Sequence, residues 1–122
     1  MNKLIVFALL SLILSGCSSA PSVSKGAIEK GKASYYADKY HGRTTASGEV
    51  FNQQALSAAH QTLSFGSRVK VTNIANNKSV IVTINDRGPF IRGRIIDLSK
   101  MAFSQIASVK QGVIDVTVER LD

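Results

Sequence analysis

Residues 79–90 read Ser79-Val80-Ile81-Val82-Thr83-Ile84-Asn85-Asp86-Arg87-Gly88-Pro89-Phe90, a strand followed by the turn that ends it. Val80, Val82 and Ile84 recur with a period of two, which puts them on one buried face of a β-strand. Gly88-Pro89 interrupts that pattern, so Asp86 and Arg87 stand where strand gives way to loop. Just upstream, Arg68-Val69-Lys70-Val71-Thr72-Asn73 alternates in the same way, and the turn residues 75–78 join the two segments into a predicted hairpin. Residues 112–119 form a third strand with Ile114, Val116 and Val118 inward, while residues 32–36 and 94–96 read as shorter strands. One helix is expected, from Leu98, Met101, Ala102, Gln105 and Ile106 at three- and four-residue spacing, with Asp97 or Ser99 as its cap. The pattern predicts a mainly β domain with one short helix, closed into a small barrel or sandwich so that few strand edges are left open.

The composition is compatible with that domain. The chain has 122 residues, of which 44% are hydrophobic and 19% charged, the profile of a single globular unit and not of a disordered or coiled-coil chain. Fifteen Lys and Arg stand against eight acids, so the expected partners are polyanions. One cysteine allows no internal disulfide, and Cys17, His41 and His60 do not make a zinc cluster. No metal or other cofactor is called for. The chain has no Trp to serve as a large aromatic sugar platform.

The N-terminus sets the compartment. Lys3 precedes an apolar run, residues 4–14, that is too short to span a bilayer and the right length for a signal-peptide core. Leu14-Ser15-Gly16-Cys17 resembles the lipobox of bacterial lipoproteins, which implies cleavage before Cys17 and lipidation of its thiol and amine. Several acyl chains together make a firm membrane anchor. Ser18 after the cysteine points to the outer membrane by analogy with enteric lipoproteins. Residues 1–16 are thus expected to be a lipoprotein signal peptide, 17–30 a Ser-rich flexible tether, and 31–122 the folded domain. Export excludes cytoplasmic nucleic acid as a partner and leaves cell-wall glycan and lipid surfaces.

Four segments carry more special-purpose residues than a strand scaffold needs: Tyr35-Tyr36; residues 40–51; residues 58–66; and residues 85–90 with Arg92, Arg94 and Asp97. Tyr40-His41-Gly42-Arg43-x-Thr45-Ala46-Ser47-Gly48-Glu49, Ala58-Ala59-His60-x-Thr62-Leu63, Asn85-Asp86-Arg87-Gly88-Pro89-Phe90 and Ile96-Asp97-Leu98-Ser99 resemble, in order, the core of the rare lipoprotein A family. That resemblance implies a six-stranded double-psi β-barrel, similar to barwin and to the first domain of expansins. It also implies a periplasm-facing lipoprotein that acts on peptidoglycan as an endolytic lytic transglycosylase, in wall remodelling or daughter-cell separation. Longer members add a C-terminal sporulation-related repeat that binds denuded glycan, and this sequence runs to Asp122 without room for one, so septal targeting is not implied.

Lytic cleavage needs an acid that protonates the leaving oxygen and whose conjugate base then takes the muramyl 6-hydroxyl proton. The candidates are Asp86 first, then Glu49, which resembles the family's second functional acid, with His60 as a site-wall residue orienting a carboxylate. Asp97 ranks behind them, either as a groove aspartate of expansin-like barrels or as a helix cap. Asp86 as a local turn residue, Glu49 as a solvated loop acid and His60 as a satisfied core histidine are the competing readings. Tyr36, Arg87, Phe90 and Arg94 are candidate substrate contacts, and His41 is loop scaffolding. Arg87 would depress the Asp86 pKa if it faced the carboxyl, although strand neighbours point to opposite faces. The leading function is a peptidoglycan lytic transglycosylase, expected to act as a monomer. A hydrolase, a non-catalytic expansin-like glycan binder and a lipoprotein that docks a divisome protein are the alternatives.

Overall fold

A computed structural model describes residues 25–122, so the signal peptide, Cys17 and most of the expected tether lie outside the described residues. Six strands close into a barrel: β1 (Ile28–Tyr35), β2 (Ser57–His60), β3 (Arg68–Asn73), β4 (Ser79–Asp86), β5 (Arg94–Leu98) and β6 (Ile114–Arg120). Their order around the barrel is β1-β5-β2-β4-β3-β6. The single α-helix, α1 (Lys100–Ile106), follows β5 directly.

The hairpin of β3 and β4 forms as its alternation predicts, with Val69 opposite Val82 and Val71 opposite Val80. Both pairs sit in the barrel interior with Ile84, Ile96, Leu98, Ile114, Val116 and Val118. Asn77 turns the connection at φ 64, a conformation that asparagine tolerates better than other side-chain-bearing residues. Burying each of these aliphatic side chains contributes about 1.5–3 kcal/mol, so the interior supplies most of the stabilisation.

The structure departs from the expected pattern in two places and adds a strand that was not expected. The sheet begins at Ile28, not near Lys32: Ile28, Glu29 and Lys30 pair with Glu119, Val118 and Thr117, drawing the end of the expected tether into β1. Leu98 ends β5 and does not start the helix, since it pairs with both Tyr35 and Ala58. Ser99 is the N-cap, its hydroxyl accepting from the Ala102 N–H at 3.1 Å, and the helix buries Ala102, Phe103 and Ile106 while Gln105 is exposed. Finally, Ser57-Ala58-Ala59-His60 is a strand with all four residues buried, leaving no alternation for a sequence reading to detect.

Candidate active site

Two irregularities in the barrel assemble the site. β2 runs parallel to β4, with Ala58 opposite Ile84 but Ala59 opposite Asp86, so Asn85 is an extra residue in β4. Strict alternation would put Asp86 on the same inward face as Ile84. The bulge reverses that phase and brings Asp86 to the outer face beside Ala59. β1 and β5, also parallel, pair Lys32 with Arg94 but Ala33 with Ile96, so Ile95 is the extra residue there. Arg94 and Asp97 would otherwise point to opposite faces, and the second bulge puts them on the same one. Gly31 accommodates it, because a Cβ at that position would meet Ile95 Cγ2 at 2.6 Å.

The outcome is a row of four residues across four strands. Ala59 pairs with Asp86 on one side and with Asp97 on the other, and Asp97 pairs with Ser34. Neighbouring strands lie about 4.8 Å apart, so the two aspartates stand two strands apart, about 10 Å between backbones, with only a methyl group between them. Ala59 is buried but lies outside the interior cluster to which Ala58 belongs.

The two carboxyls have different surroundings. Asp86 accepts three hydrogen bonds, from the Tyr36 hydroxyl at 2.6 Å, the Ala46 N–H at 2.8 Å and the Arg87 N–H at 2.9 Å. Asp97 accepts one side-chain hydrogen bond, from the Ser34 hydroxyl. Burial holds the Asp97 pKa above the usual carboxylate range, and the Asp86 charge pushes the same way, against the Ser34 hydrogen bond and the Arg94 charge. Tyr36 is held strongly upward by burial, its bond to Asp86 and the two aspartate charges, so its hydroxyl keeps its proton and acts as a donor.

Asp97 is therefore not the helix cap that competed with its site role; Ser99 takes that position. Tyr35 and Tyr36 divide as their alternation implies. Tyr35 packs on Phe103 with ring centroids 4.8 Å apart, and Tyr36 reaches Asp86. The Tyr36 ring is fixed by stacking on buried Phe51 at 4.2 Å.

Sequence reading placed other residues less well. His60 follows Ala59, and its partner Ile96 faces the interior, so its ring lies on the opposite side of the strand from the acids. Its Nδ1 accepts the N–H groups of Thr62 and Leu63 at 3.1 Å each, and its Nε2 lies 2.8 Å from Glu29 Oε1. The carboxylate it orients is thus Glu29, not a site acid. The Arg87 guanidinium points away from the Asp86 carboxyl, toward the His60 carbonyl at 3.2 Å and over the Phe65 ring at 4.0 Å, which removes the expected conflict with an acid nearby. Glu49 is exposed in the loop of residues 43–51, and its carboxylate has no hydrogen-bond partner among the described residues. That loop is nevertheless tied to the site through Ala46 N–H to Asp86 and Ser47 N–H to the Asn85 carbonyl at 3.2 Å. Phe90 is 78% exposed on the loop after Asp86, with its ring over Gly88. His41 is scaffolding, as read: its Nδ1 accepts the Gln53 N–H at 3.0 Å.

Gln53 and Ser34 were not singled out from the sequence, and Arg43 entered only as a member of the motif of residues 40–49. Buried Gln53 donates from Nε2 to the Tyr36 carbonyl at 2.8 Å and to Asp38 at 3.1 Å, and its Oε1 accepts the Lys100 N–H at 2.8 Å, linking the Tyr36 strand end to the helix start. Arg43 shares a 230 Å³ pocket with Tyr36, Tyr40, Thr45, Phe51 and Asp86. Nothing local in the sequence marks Gln53 or Ser34, because their side-chain partners Tyr36, Lys100 and Asp97 lie 17, 47 and 63 residues away.

Known proteins match both the sequence and the shape. The profile of the lytic transglycolase family matches residues 28–118. A Synechocystis protein named "Probable endolytic peptidoglycan transglycosylase RlpA" is 56% identical over 92 residues, 75% of this chain and 29% of that protein. The "Endolytic peptidoglycan transglycosylase RlpA" of Vibrio cholerae is 50% identical over 95 residues, 78% of this chain and 36% of the relative. The chain thus spans little more than a third of these relatives' length at most. Among solved structures, the Streptomyces papain inhibitor superposes with a TM-score of 0.67 at 24% identity, covering 83% of this chain and all of that one. A Clavibacter michiganensis expansin superposes at 0.62 and 20% identity, over 78% of this chain and 50% of that one. At such identities these likenesses concern the fold alone, and they agree with the expected double-psi β-barrel. With three quarters of its length matched by the profile and at least half of the aligned residues identical to those of these two RlpA proteins, the chain belongs to the lytic transglycolase family.

Proposed function

We propose that this domain is an endolytic peptidoglycan lytic transglycosylase that cleaves MurNAc–GlcNAc β-1,4 bonds and leaves a 1,6-anhydro-muramyl end. The observation that carries the reading is the aspartate row, two carboxyls of unlike surroundings held on one open face by two bulges. The expected order of the acids changes. Asp97, half-buried and held above the usual carboxylate range, is the better proton carrier. It protonates the glycosidic oxygen as the C–O bond breaks, and its conjugate base then takes the proton of the muramyl 6-hydroxyl as that oxygen closes on the anomeric carbon. Asp86, fixed by three donors, faces the positive charge that develops on the sugar ring. Tyr36 keeps Asp86 in place. Glu49 acts here at one remove, from the loop that carries Ala46, while the His60 side chain holds Glu29 and the turn after β2 instead of a site acid.

In the cell, the protein faces the wall from the periplasmic side, anchored through lipid on Cys17, in the outer membrane of a Gram-negative envelope. Its role is wall remodelling or separation of daughter cells, with any divisome protein supplying its targeting.

Mass spectrometry of sacculi and of peptide-free glycan after incubation with the full chain tests this reading. Anhydro-muramyl products from wild type, absent with Asp97→Asn and with Asp86→Asn, are expected. Reducing-end products would make the enzyme a hydrolase. Strands that are bound but left intact would point to an expansin-like binder instead.

A further inference from the structure

Among the barrel's cations, Lys32 is paired with Asp115 at 2.8 Å, Arg68 with Asp122 at 2.8 Å and Lys100 with Asp38 at 3.1 Å. Two arginines beside the acid row have no such pair among the described residues. Arg43 has no carboxylate within ion-pair distance among the described residues, and its guanidinium rests over the Tyr40 ring, 4.9 Å from the centroid. Arg94 makes one weak hydrogen bond, 3.4 Å to the Ser34 hydroxyl.

These two arginines occupy different hollows. Arg43 lines the 230 Å³ pocket that contains Asp86. Arg94 lines a 470 Å³ groove with Ser34, which bonds Asp97, and with Lys100. One unpaired guanidinium therefore lies to either side of the two aspartates. A guanidinium held against a ring or by one weak bond keeps most of its N–H donors free, in the planar fork that fits a carboxylate.

We propose that the cleft reads carboxylates at two points along its glycan, Arg43 on one side of the acid row and Arg94 on the other. This rests on the functional reading above, in which the bound strand has a carboxylate-bearing substituent on every second sugar. The carboxylate has two possible sources, the lactyl ether of a peptide-free strand or the stem peptide. An otherwise identical β-1,4 glycan without carboxylates is then a poor ligand. Tyr40 serves as the support that orients Arg43, and Lys100 is withheld from the strand by its pairing with Asp38.

The test compares three ligands on the immobilised full chain: labelled peptide-free strands, the same strands with lactyl carboxylates reduced to alcohols, and peptide-bearing strands. Wild type is expected to hold peptide-free strands about tenfold more tightly than reduced ones, as loss of a charge-assisted contact implies. Arg43→Gln and Arg94→Gln each lose part of that preference and the double variant loses all of it, while Arg68→Gln on the far wall keeps it. Arg43→Lys and Arg94→Lys, which keep the charge, retain part of the preference and guard against a folding artefact. Peptide-bearing strands bound as tightly as stripped ones identify stem-peptide carboxylates as an equal source. Stripped strands bound alone identify the lactyl group. Equal binding of native and reduced strands by wild type, or an undiminished preference in the double variant, overturns the proposal. Strands cut without regard to carboxylate sink this inference and leave the enzymatic reading intact. Strands bound with the preference but never cut do the reverse.

Discussion

The two walls of the barrel are built on different rules. The β3-β4-β6 wall is antiparallel throughout and in unbroken register, with valines and isoleucines inside and, apart from exposed Ile81, charged or hydroxylated residues outside. The β1-β5-β2 wall contains or borders both parallel pairings, and each of those has an extra residue. Its inward residues are also small in places, with Ala33 and Ala58 where the other wall has Val69 and Val82. All four residues of the aspartate row lie along this second wall or at its edge with β4. Regularity stabilises the barrel, and the departures from it gather the aspartate row. One inserted residue reverses the facing of everything after it, so two bulges suffice to gather residues that strict alternation would scatter.

The division predicts that the walls fail differently. The largest effect is expected for Asp97→Asn, a loss of activity of about 10²–10⁴-fold, the range for removing a general acid, with the fold retained. Ionising Asp97 works against the folded state, because its native pKa is raised above the 3.8 of an ordinary aspartate. Stability from this group is present below that value and is lost as pH rises through the raised native pKa. Thermal unfolding of Asp97→Asn at neutral pH should therefore match or exceed wild type. A clear fall in Tm would show that the residue is structural and break the contrast.

On the regular wall, Ile114→Ala should cost about 2–5 kcal/mol of stability by leaving a cavity. Activity per folded molecule, measured well below the midpoint, should be unchanged. Ala59→Leu tests the row itself. Overpacking at this buried position costs about 1–3 kcal/mol, yet cleavage should fall far more than that loss explains, because the side chain enters between the acids. A variant that keeps its rate would mean that the gap between the aspartates is not used.

Ser34→Ala is a smaller perturbation. It removes the hydrogen bond that lowers the Asp97 pKa, so the alkaline limb of the pH–rate profile should move to higher pH. Asp86→Asn moves the same limb to lower pH in whatever residual activity it retains, since it removes a charge that raises that pKa. The smallest effect belongs to exposed Asp115, where Asp115→Asn breaks the pair with Lys32 and should leave Tm within measurement scatter.

What the sequence made legible follows the same boundary. Alternation revealed β3, β4 and β6 because one face of each is continuously buried. It could not reveal β2, where Ser57 to His60 are all covered, nor separate Leu98 from the helix, since an apolar residue one position before a Ser cap fits either element. Asp86 and Asp97 stood out as residues, but their meeting did not. A bulge has no local signature, and by parity alone Asp86 belongs with Ile84. The same parity explains His60, which sits beside Ala59 in sequence and on the other side of the sheet in space. Gln53, which joins the Tyr36 strand end to α1, gave no sign because its partners come from Tyr36, Asp38 and Lys100.

The central claim is that Asp86 and Asp97 share one face closely enough for the charge of the first to act on the second. Carbon-13 NMR titration of the Asp97 side-chain carboxyl, in wild type and in Asp86→Asn, measures this directly. The account predicts that Asp97 in the wild type titrates above the ordinary aspartate range and that its midpoint falls in Asp86→Asn. An Asp97 that titrates at an ordinary value, with a midpoint indifferent to the Asp86 substitution, would contradict it.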